Sequence, residues 1–202
     1  MQVLLDSIVI QAQAYSVTEC VAVALAILYL VLAIRENIWC WPCAGVSTAM
    51  YVYLFGAAQL YMESALNIFY FGMAIYGWSV WYFGRTGDSE LPVSVWRLAV
   101  HGYALTAILV VSLLSGYLLS RYTDAAFPYL DSLTTWAAIW TTFLVARKVL
   151  ENWWYWLVID VASIFIYWSR DLQLTALLFV LYVVMIPFGL RSWSRSRRAA
   201  LA

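Results

Sequence analysis

Long apolar segments separated by short polar ones fill most of the chain. A helix crosses a bilayer with about 20 mostly apolar residues, and this pattern predicts seven such helices. The segments are continuous and lack the two-residue alternation of membrane strands. The sequence therefore predicts an all-α integral membrane protein, with helices at about 17–34, 38–56, 58–82, 96–119, 131–149, 152–168 and 171–191.

The connecting segments are short and rich in turn-forming residues. The longest polar linker is 84–92, and the third helix is predicted to begin directly after Gly56. Pro128 lies in the segment 121–131, which is predicted as the loop that closes the fourth helix. Residues 1–14 carry an apolar stretch too short to span and no signal-peptide features, so we expect an interfacial segment.

Composition narrows the class of protein. The chain has 202 residues, of which 65% are hydrophobic, 18% aromatic and only 11% charged, with no net charge. Soluble domains carry about a quarter charged residues, so this chain lacks the charges to cover a soluble surface. A soluble enzyme, a disordered protein and a nucleic-acid binder with its basic patch are excluded.

The basic residues predict an orientation, because cytoplasmic loops collect Lys and Arg. Arg121 and Arg170 fall on one side of the membrane, and the other nine fall on the opposite side. We therefore predict a cytoplasmic C-terminus and an outside N-terminus, with 195–202 as a basic cytoplasmic tail. The nine are Arg35, Arg85, Arg97, Arg147, Lys148, Arg191, Arg195, Arg197 and Arg198.

An internal repeat is suggested by two similar hexapeptides. ENIWCW at 36–41 reappears as ENWWYW at 151–156, and the same shift of 115 residues lays Trp78 on Trp193 and Leu66 on Leu181. We predict that the first three helices are repeated as the last three. One connecting helix then makes both units run in the same direction, and such repeats place substrates at their interface. The predicted units are 15–83 and 128–194, joined by the loop and linking helix at 84–127.

Several motifs resemble the PnuC family of bacterial vitamin transporters. They are ENWWYW after Ala-Arg-Lys at 146–148, IYGWSVW at 75–81, FPY followed by Asp-Ser at 127–132, and the basic tail. The similarity covers about residues 15–198. It implies a 3+1+3 helix arrangement like that of SWEET sugar transporters, a bacterial inner-membrane location and a homotrimer. It also implies facilitated diffusion of nicotinamide riboside or thiamine, which a cytoplasmic kinase then traps.

Polar residues on one face of the third helix are candidate substrate contacts. Gln59, Glu63, Asn67 and Tyr70 are spaced by four, four and three residues. Asn67 stands where the family resemblance places an amide. Glu63 departs from the nicotinamide riboside pattern, where a small uncharged residue is usual. The alternative for Glu63 is a carboxylate that reaches the outer interface.

The sixth helix carries a second polar face, with Asn152 and Asp160 as candidate substrate contacts. Ser163 and Tyr167 share that face. A carboxylate inside a span is costly and therefore points to function, although an acid hydrogen-bonded between helices would fit equally well. In the 115-residue repeat Asp160 aligns with Gly45, which predicts an asymmetric site.

Deep aromatic residues indicate the kind of ligand. Trp136, Trp140 and Tyr182, together with Tyr70, could stack on a flat cationic ring. No Arg or Lys lies deep in a span, so a phosphorylated nucleotide fits poorly. The tryptophans at helix starts fit an interfacial aromatic belt better; they are Trp39, Trp41, Trp154 and Trp156.

Other chemistries find little support. Cys40 and Cys43 have the spacing of thiol oxidoreductases, but Cys20 alone remains as a further thiol. His101 is the only histidine, so no His-based metal site is predicted, and neither an enzyme nor a cofactor is expected. A purely structural membrane subunit fits the composition but leaves the polar faces unexplained.

The sequence thus predicts a facilitator for a flat cationic B vitamin. Thiamine is slightly favoured, because its aminopyrimidine can pair with the carboxylate of Glu63. Nicotinamide riboside is the alternative, and riboflavin or another flat vitamin is not separated from them.

Overall fold

The computed structural model describes residues 17–57, 61–84, 90–124, 127–170 and 172–201. Outside the helices these residues form turns and one isolated bridge, between Ser94 and Val149. Seven α-helices account for most of the described chain. They are α1 (Val17–Ile34), α2 (Cys40–Ala57), α3 (Tyr61–Phe83), α4 (Leu98–Tyr122), α5 (Pro128–Ala146), α6 (Asn152–Trp168) and α7 (Gln173–Leu201).

These helices agree with the seven predicted from apolar segments, and differ mainly at their ends. Pro128 is the first residue of α5 and not part of a loop, because its fixed φ suits the first helical position. The last helix continues to Leu201 and takes in the predicted basic tail. Among the described residues α1, α4 and α7 are long and apolar enough to cross a membrane. The predicted interfacial segment 1–14 lies outside the described residues.

The helix starts share an offset that differs from the shift predicted for the repeat. Helices α2 and α6 begin at Cys40 and Asn152, and α3 and α7 begin at Tyr61 and Gln173, so both pairs are offset by 112 residues. The predicted shift of 115 is therefore wrong for the structure. At 112, Asp160 aligns with Thr48 and not with Gly45. Identical pairs include Arg35 and Arg147, Trp41 and Trp153, Tyr70 and Tyr182, Gly77 and Gly189, and Trp81 and Trp193.

The turns after α1 and α5 repeat the same hydrogen bonds. Asn37 N–H donates to Leu32 O at 2.9 Å, and Val149 N–H donates to Leu144 O at 2.9 Å, as in a Schellman cap. The residues just before these donors, Glu36 and Lys148, have φ of 57° and 48°. A side chain in this left-handed region costs roughly 1–2 kcal/mol. The turn geometry thus equates Glu36 with Lys148, and the ENIWCW match is not a structural one.

The contacts divide the chain into two compact units. The first unit contains residues up to Val93, residues 146–148 and the segment from Gly189 onward. In it α2 packs against both α1 and α3. The hydroxyl of Ser47 donates to Ala22 O at 2.8 Å. A Cβ on Gly77 would overlap the Trp41 ring, which explains why α3 has a glycine at that point.

The second unit contains residues 94–145 and 149–188. Gly116 of α4 lets Tyr129 of α5 approach, since a Cβ there would overlap the tyrosine. Leu150 N–H donates to Ser94 O at 2.9 Å and ties the loop before α4 to the turn before α6. An ion pair of 2.6 Å joins Arg170 to Asp131 at the start of α5. The backbone hydrogen bond and the ion pair thus each join segments of this unit that are far apart in the sequence.

Candidate substrate site

The nine candidate substrate residues are divided between the two compact units, except for those that lie outside the described residues. Gln59 lies outside the described residues, and the side chain of Glu63 on α3 does too. Asn67 and Tyr70 lie on α3 in the first unit. The remaining five belong to the second unit: Trp136 and Trp140 on α5, Asn152 and Asp160 on α6, and Tyr182 on α7.

The polar face of α6 is buried along its length. Asn152, Asp160 and Ser163 expose 0%, 4% and 6% of their surface. Asp160 lies at the middle of the helix, and no hydrogen bond or ion pair to it occurs within the described part of the chain. A carboxylate removed from water needs a cation or hydrogen-bond donors to offset its lost hydration. This face therefore offers an acceptor that the described protein groups leave unused.

Asn152 performs a different task from Asp160. It is the first residue of α6, and its Nδ2 donates to Val149 O at 2.6 Å. Its amide therefore stabilises the turn that precedes the helix. Its Oδ1 is buried and accepts no hydrogen bond from described groups. This oxygen and the second N–H of Nδ2 are the groups that remain for a ligand.

Aromatic residues line the second unit in two clusters. The Trp140 ring packs against Trp96 and Phe143, with centroids 6.1 and 5.7 Å away. On α7, Phe179 stacks on Tyr167 at 5.3 Å and meets the edge of Tyr182 at 5.6 Å. Phe179 therefore contacts both Tyr182 and Tyr167, and Tyr167 lies on the helix that carries Asp160.

Trp136 and the α3 residues are placed less deeply than predicted. The Trp136 indole N–H donates to Ser115 Oγ on α4 at 3.1 Å, and the side chain is 37% exposed. Asn67 and Tyr70 are half-buried, and the Tyr70 ring packs against Phe69 at 5.7 Å. Tyr70 and Tyr182 occupy equivalent positions in the 112-residue repeat. The aromatic part of the predicted set is thus partly symmetric.

A buried polar network was missed by sequence reasoning. His101 of α4 lies 3.0 Å from the Tyr155 hydroxyl through Nδ1 and 3.8 Å from Glu151 Oε1 through Nε2. Glu151 Oε1 also accepts from Trp96 N–H at 3.2 Å. The only sequence signal was Glu151 beside the aromatic run, because the partners are far apart in the chain. This network ties α4 to the start of α6.

The two thiols of the C-x-x-C sequence lie at the start of α2. Cys40 is buried in the first turn of α2, Cys43 is half-buried, and both are free. Within the described ranges no three His, Cys, Asp or Glu side chains group into a metal site. The C-x-x-C spacing here occupies an ordinary helix start.

Comparison with known proteins identifies the family. The sequence profile of the nicotinamide mononucleotide transporter family matches residues 16–195. The chain belongs to this family. The match confirms the resemblance to PnuC, and the members it is compared with are membrane transporters and not enzymes.

Individual family members are similar along most of their length. The riboflavin/roseoflavin transporter RibM of Streptomyces davaonensis is 26% identical over 180 residues, covering 86% of this chain and 83% of that protein. The nicotinamide riboside transporter PnuC of Escherichia coli is 25% identical over 206 residues, covering 89% and 86%. The crystal structure of the vitamin B3 transporter PnuC superposes with a TM-score of 0.72 at 22% identity, over 97% of this chain and 90% of that one.

Proposed function

We propose that this protein carries nicotinamide riboside across the bacterial inner membrane. Two kinds of support agree. Relatives from Escherichia coli and Neisseria mucosa are named nicotinamide riboside transporters. The second support is chemical and comes from the buried face of α6.

Asp160 is the observation that carries the proposal. Its carboxylate is 4% exposed and has no cationic partner in the described parts of the chain. The nicotinamide ring of the riboside is a pyridinium with a permanent positive charge, so binding would offset the buried negative charge. The ring is also flat, which suits the aromatic side chains on α5 and α7.

The other vitamins fit these observations less well. The thiamine preference relied on Glu63, whose side chain lies outside the described residues. The relatives described above are named for riboflavin or nicotinamide riboside. Riboflavin is the second candidate because RibM is 26% identical. Its ring system is neutral, however, and leaves Asp160 without a cation. A nucleotide phosphate finds no basic residue in the middle of a described helix, since α4 and α7 carry arginines only toward their C-terminal ends.

The finer features of transport belong to the same proposal. We propose facilitated diffusion, a cytoplasmic kinase that traps the vitamin, a homotrimer, and a C-terminus on the cytoplasmic side. We also propose that the repeated helices form two parallel units on either side of α4, as in SWEET-type transporters. The equal offsets of the helix starts support that arrangement.

Counterflow into proteoliposomes tests the proposal. Vesicles loaded with unlabelled nicotinamide riboside should take up labelled nicotinamide riboside, and external nicotinamide riboside should compete better than thiamine, riboflavin or nicotinamide mononucleotide. Strongest competition by riboflavin would favour the second candidate. Uphill accumulation under an imposed proton or sodium gradient, without a kinase, would contradict facilitated diffusion.

A further inference from the structure

Two buried tryptophans connect distant segments at one end of the first unit. The indole N–H of Trp193 on α7 donates to Ala33 O near the end of α1, at 2.9 Å. The indole N–H of Trp81 on α3 donates to Ala146 O at the end of α5, at 3.1 Å. The two indole rings are 6.3 Å apart. The described segments that meet around these contacts are 31–41, 78–84, 146–148 and 189–201.

Exposed arginines are concentrated in these segments. Arg35 directly follows α1, Arg147 directly follows α5, and both side chains are exposed. On α7 the exposed residues Arg191, Arg195 and Arg198 are spaced by four and three residues, so they share one face of the helix. Like charges at this spacing repel each other. An anion that binds beside them would relieve this repulsion.

The carboxylates at this end of the unit already pair with a buried lysine. Glu36 is the one acidic residue in the four segments, and Glu90 approaches from the loop after α3. Lys148 Nζ lies 3.0 Å from Glu36 Oε2 and 3.6 Å from Glu90 Oε2. Within the described residues none of the six arginines in these segments, Arg197 included, forms an ion pair. This surface therefore has a positive charge that the described carboxylates leave uncompensated.

Aromatic residues place the same end of the unit at the membrane surface. Trp39 lies four residues after Arg35 and is 62% exposed. Its ring meets the edge of Trp78 at 5.9 Å, and Trp78 stacks on the exposed Tyr82 at 6.5 Å. Exposed Trp and Tyr rings are enriched at the level of the lipid headgroups. The neighbouring arginines are therefore at the level where lipid phosphates lie.

We propose that these arginines form a binding surface for the phosphate groups of anionic phospholipids. The inference goes beyond transport and requires only that the chain lies in a bilayer. Guanidinium groups bind phosphate oxygens in a bidentate manner, and anionic lipids attract basic segments beside a membrane helix. Compensation of helix dipoles would also favour arginines after α1 and α5. It does not account for Arg191, which lies well before the end of α7. We call this surface the basic end; its members are Arg35, Arg147, Arg191, Arg195, Arg197 and Arg198.

Lipid binding by variants of the full-length protein tests the proposal. Arg35→Gln is combined with Arg195→Gln, in segments that an indole hydrogen bond joins. The control, Arg97→Gln with Arg121→Gln, removes the same charge from exposed positions at the two ends of α4. Native mass spectrometry in neutral detergent compares bound phosphatidylglycerol with bound phosphatidylcholine, and thermal unfolding is followed with each lipid. We expect the parent to prefer phosphatidylglycerol and to be stabilised by it. The test variant should bind it at least about tenfold more weakly, and the control within about twofold of the parent.

Several outcomes would overturn the proposal. They are equal binding of the two lipids by the parent, equal losses in the test and control variants, and displacement of phosphatidylglycerol by an equal concentration of inorganic phosphate. A test variant that is less stable without lipid but binds phosphatidylglycerol like the parent would make the arginines dipole partners only. If the double variant does not fold, Arg195→Gln is compared with Arg121→Gln. A loss of at least about threefold in the first alone would support the basic end, and equal binding by both would overturn it.

Discussion

In the first unit Lys148, Glu36, Trp81 and Trp193 contact one another and are called the brace. The brace and the polar face of α6 in the second unit both hold charged groups away from water, but only the brace gives its buried charge partners. Lys148 is surrounded by two carboxylates and an indole ring. Asp160 is almost as buried and has no such partner in the described structure. Removal of one partner from a buried ion pair is strongly destabilising. A buried charge without a partner is costly and is therefore a candidate for ligand binding. The comparison is consistent with an architectural role for the brace, and it supports the proposal that Asp160 binds the substrate.

The largest expected effect comes from breaking the ion pair of the brace. Lys148→Met keeps the side-chain length but leaves Glu36 without its cation, and breaking a buried pair costs about 3–5 kcal/mol. Thermal unfolding of the purified protein in detergent should show this loss.

A second variant separates the lost pair from lost packing. The double variant Glu36→Gln with Lys148→Met removes both charges and should recover most of the stability, because the orphaned carboxylate is gone. Exposed Arg147→Met is the control and should leave unfolding unchanged. A Lys148→Met protein as stable as the parent would place Lys148 outside the architecture.

The packing beneath the brace can be tested by two glycines of one helix. Gly77→Ala would push a methyl group into the Trp41 ring, and such overpacking costs about 1–3 kcal/mol. Gly72→Ala has no atom within 4 Å of its new Cβ and should stabilise α3 by up to about 1 kcal/mol. Equal effects of the two substitutions on unfolding would contradict the packing described for Trp41.

The indole hydrogen bonds of the brace should contribute smaller amounts. Trp81 N–H donates to Ala146 O at 3.1 Å, and Trp193 N–H donates to Ala33 O at 2.9 Å. Trp81→Phe and Trp193→Phe each keep an aromatic ring but remove an N–H donor, which is worth about 1 kcal/mol. Both losses should appear in denaturant unfolding, and they need not be equal, because only Trp81 also lies under the Lys148 ammonium. A variant as stable as the parent would show that the indole hydrogen bond it removes does not stabilise the fold.

The helices were predictable from sequence because a span needs a long apolar segment, and such segments are conspicuous in this chain. The register of the repeat was not, since ENIWCW and ENWWYW look alike while the true equivalents are scattered single residues. Glu36 lies inside a turn, whereas Glu151 directly precedes α6. Backbone geometry distinguishes these positions, and residue identity does not.

The candidate site was predictable only in part. Asp160 is conspicuous in the sequence because an acid in the middle of an apolar helix is rare, and the structure buries it; its role in binding stays a prediction. Lys148 was counted as a loop charge, because nothing in its neighbours shows that Glu36 and Glu90 meet it. Pairings across more than fifty residues depend on tertiary contacts, which no local pattern encodes.

The central claim is that Asp160 is left unpaired for a cationic vitamin. Titration of purified Asp160→Asn protein with nicotinamide riboside tests it most directly, beside Asp131→Asn, whose carboxylate already pairs with Arg170. Charge-assisted contacts are roughly twice as strong as neutral ones. We therefore expect Asp160→Asn to weaken binding at least about tenfold, or about 1.4 kcal/mol, without loss of thermal stability. Unchanged affinity with a destabilised fold would instead make Asp160 a structural acid and contradict the account.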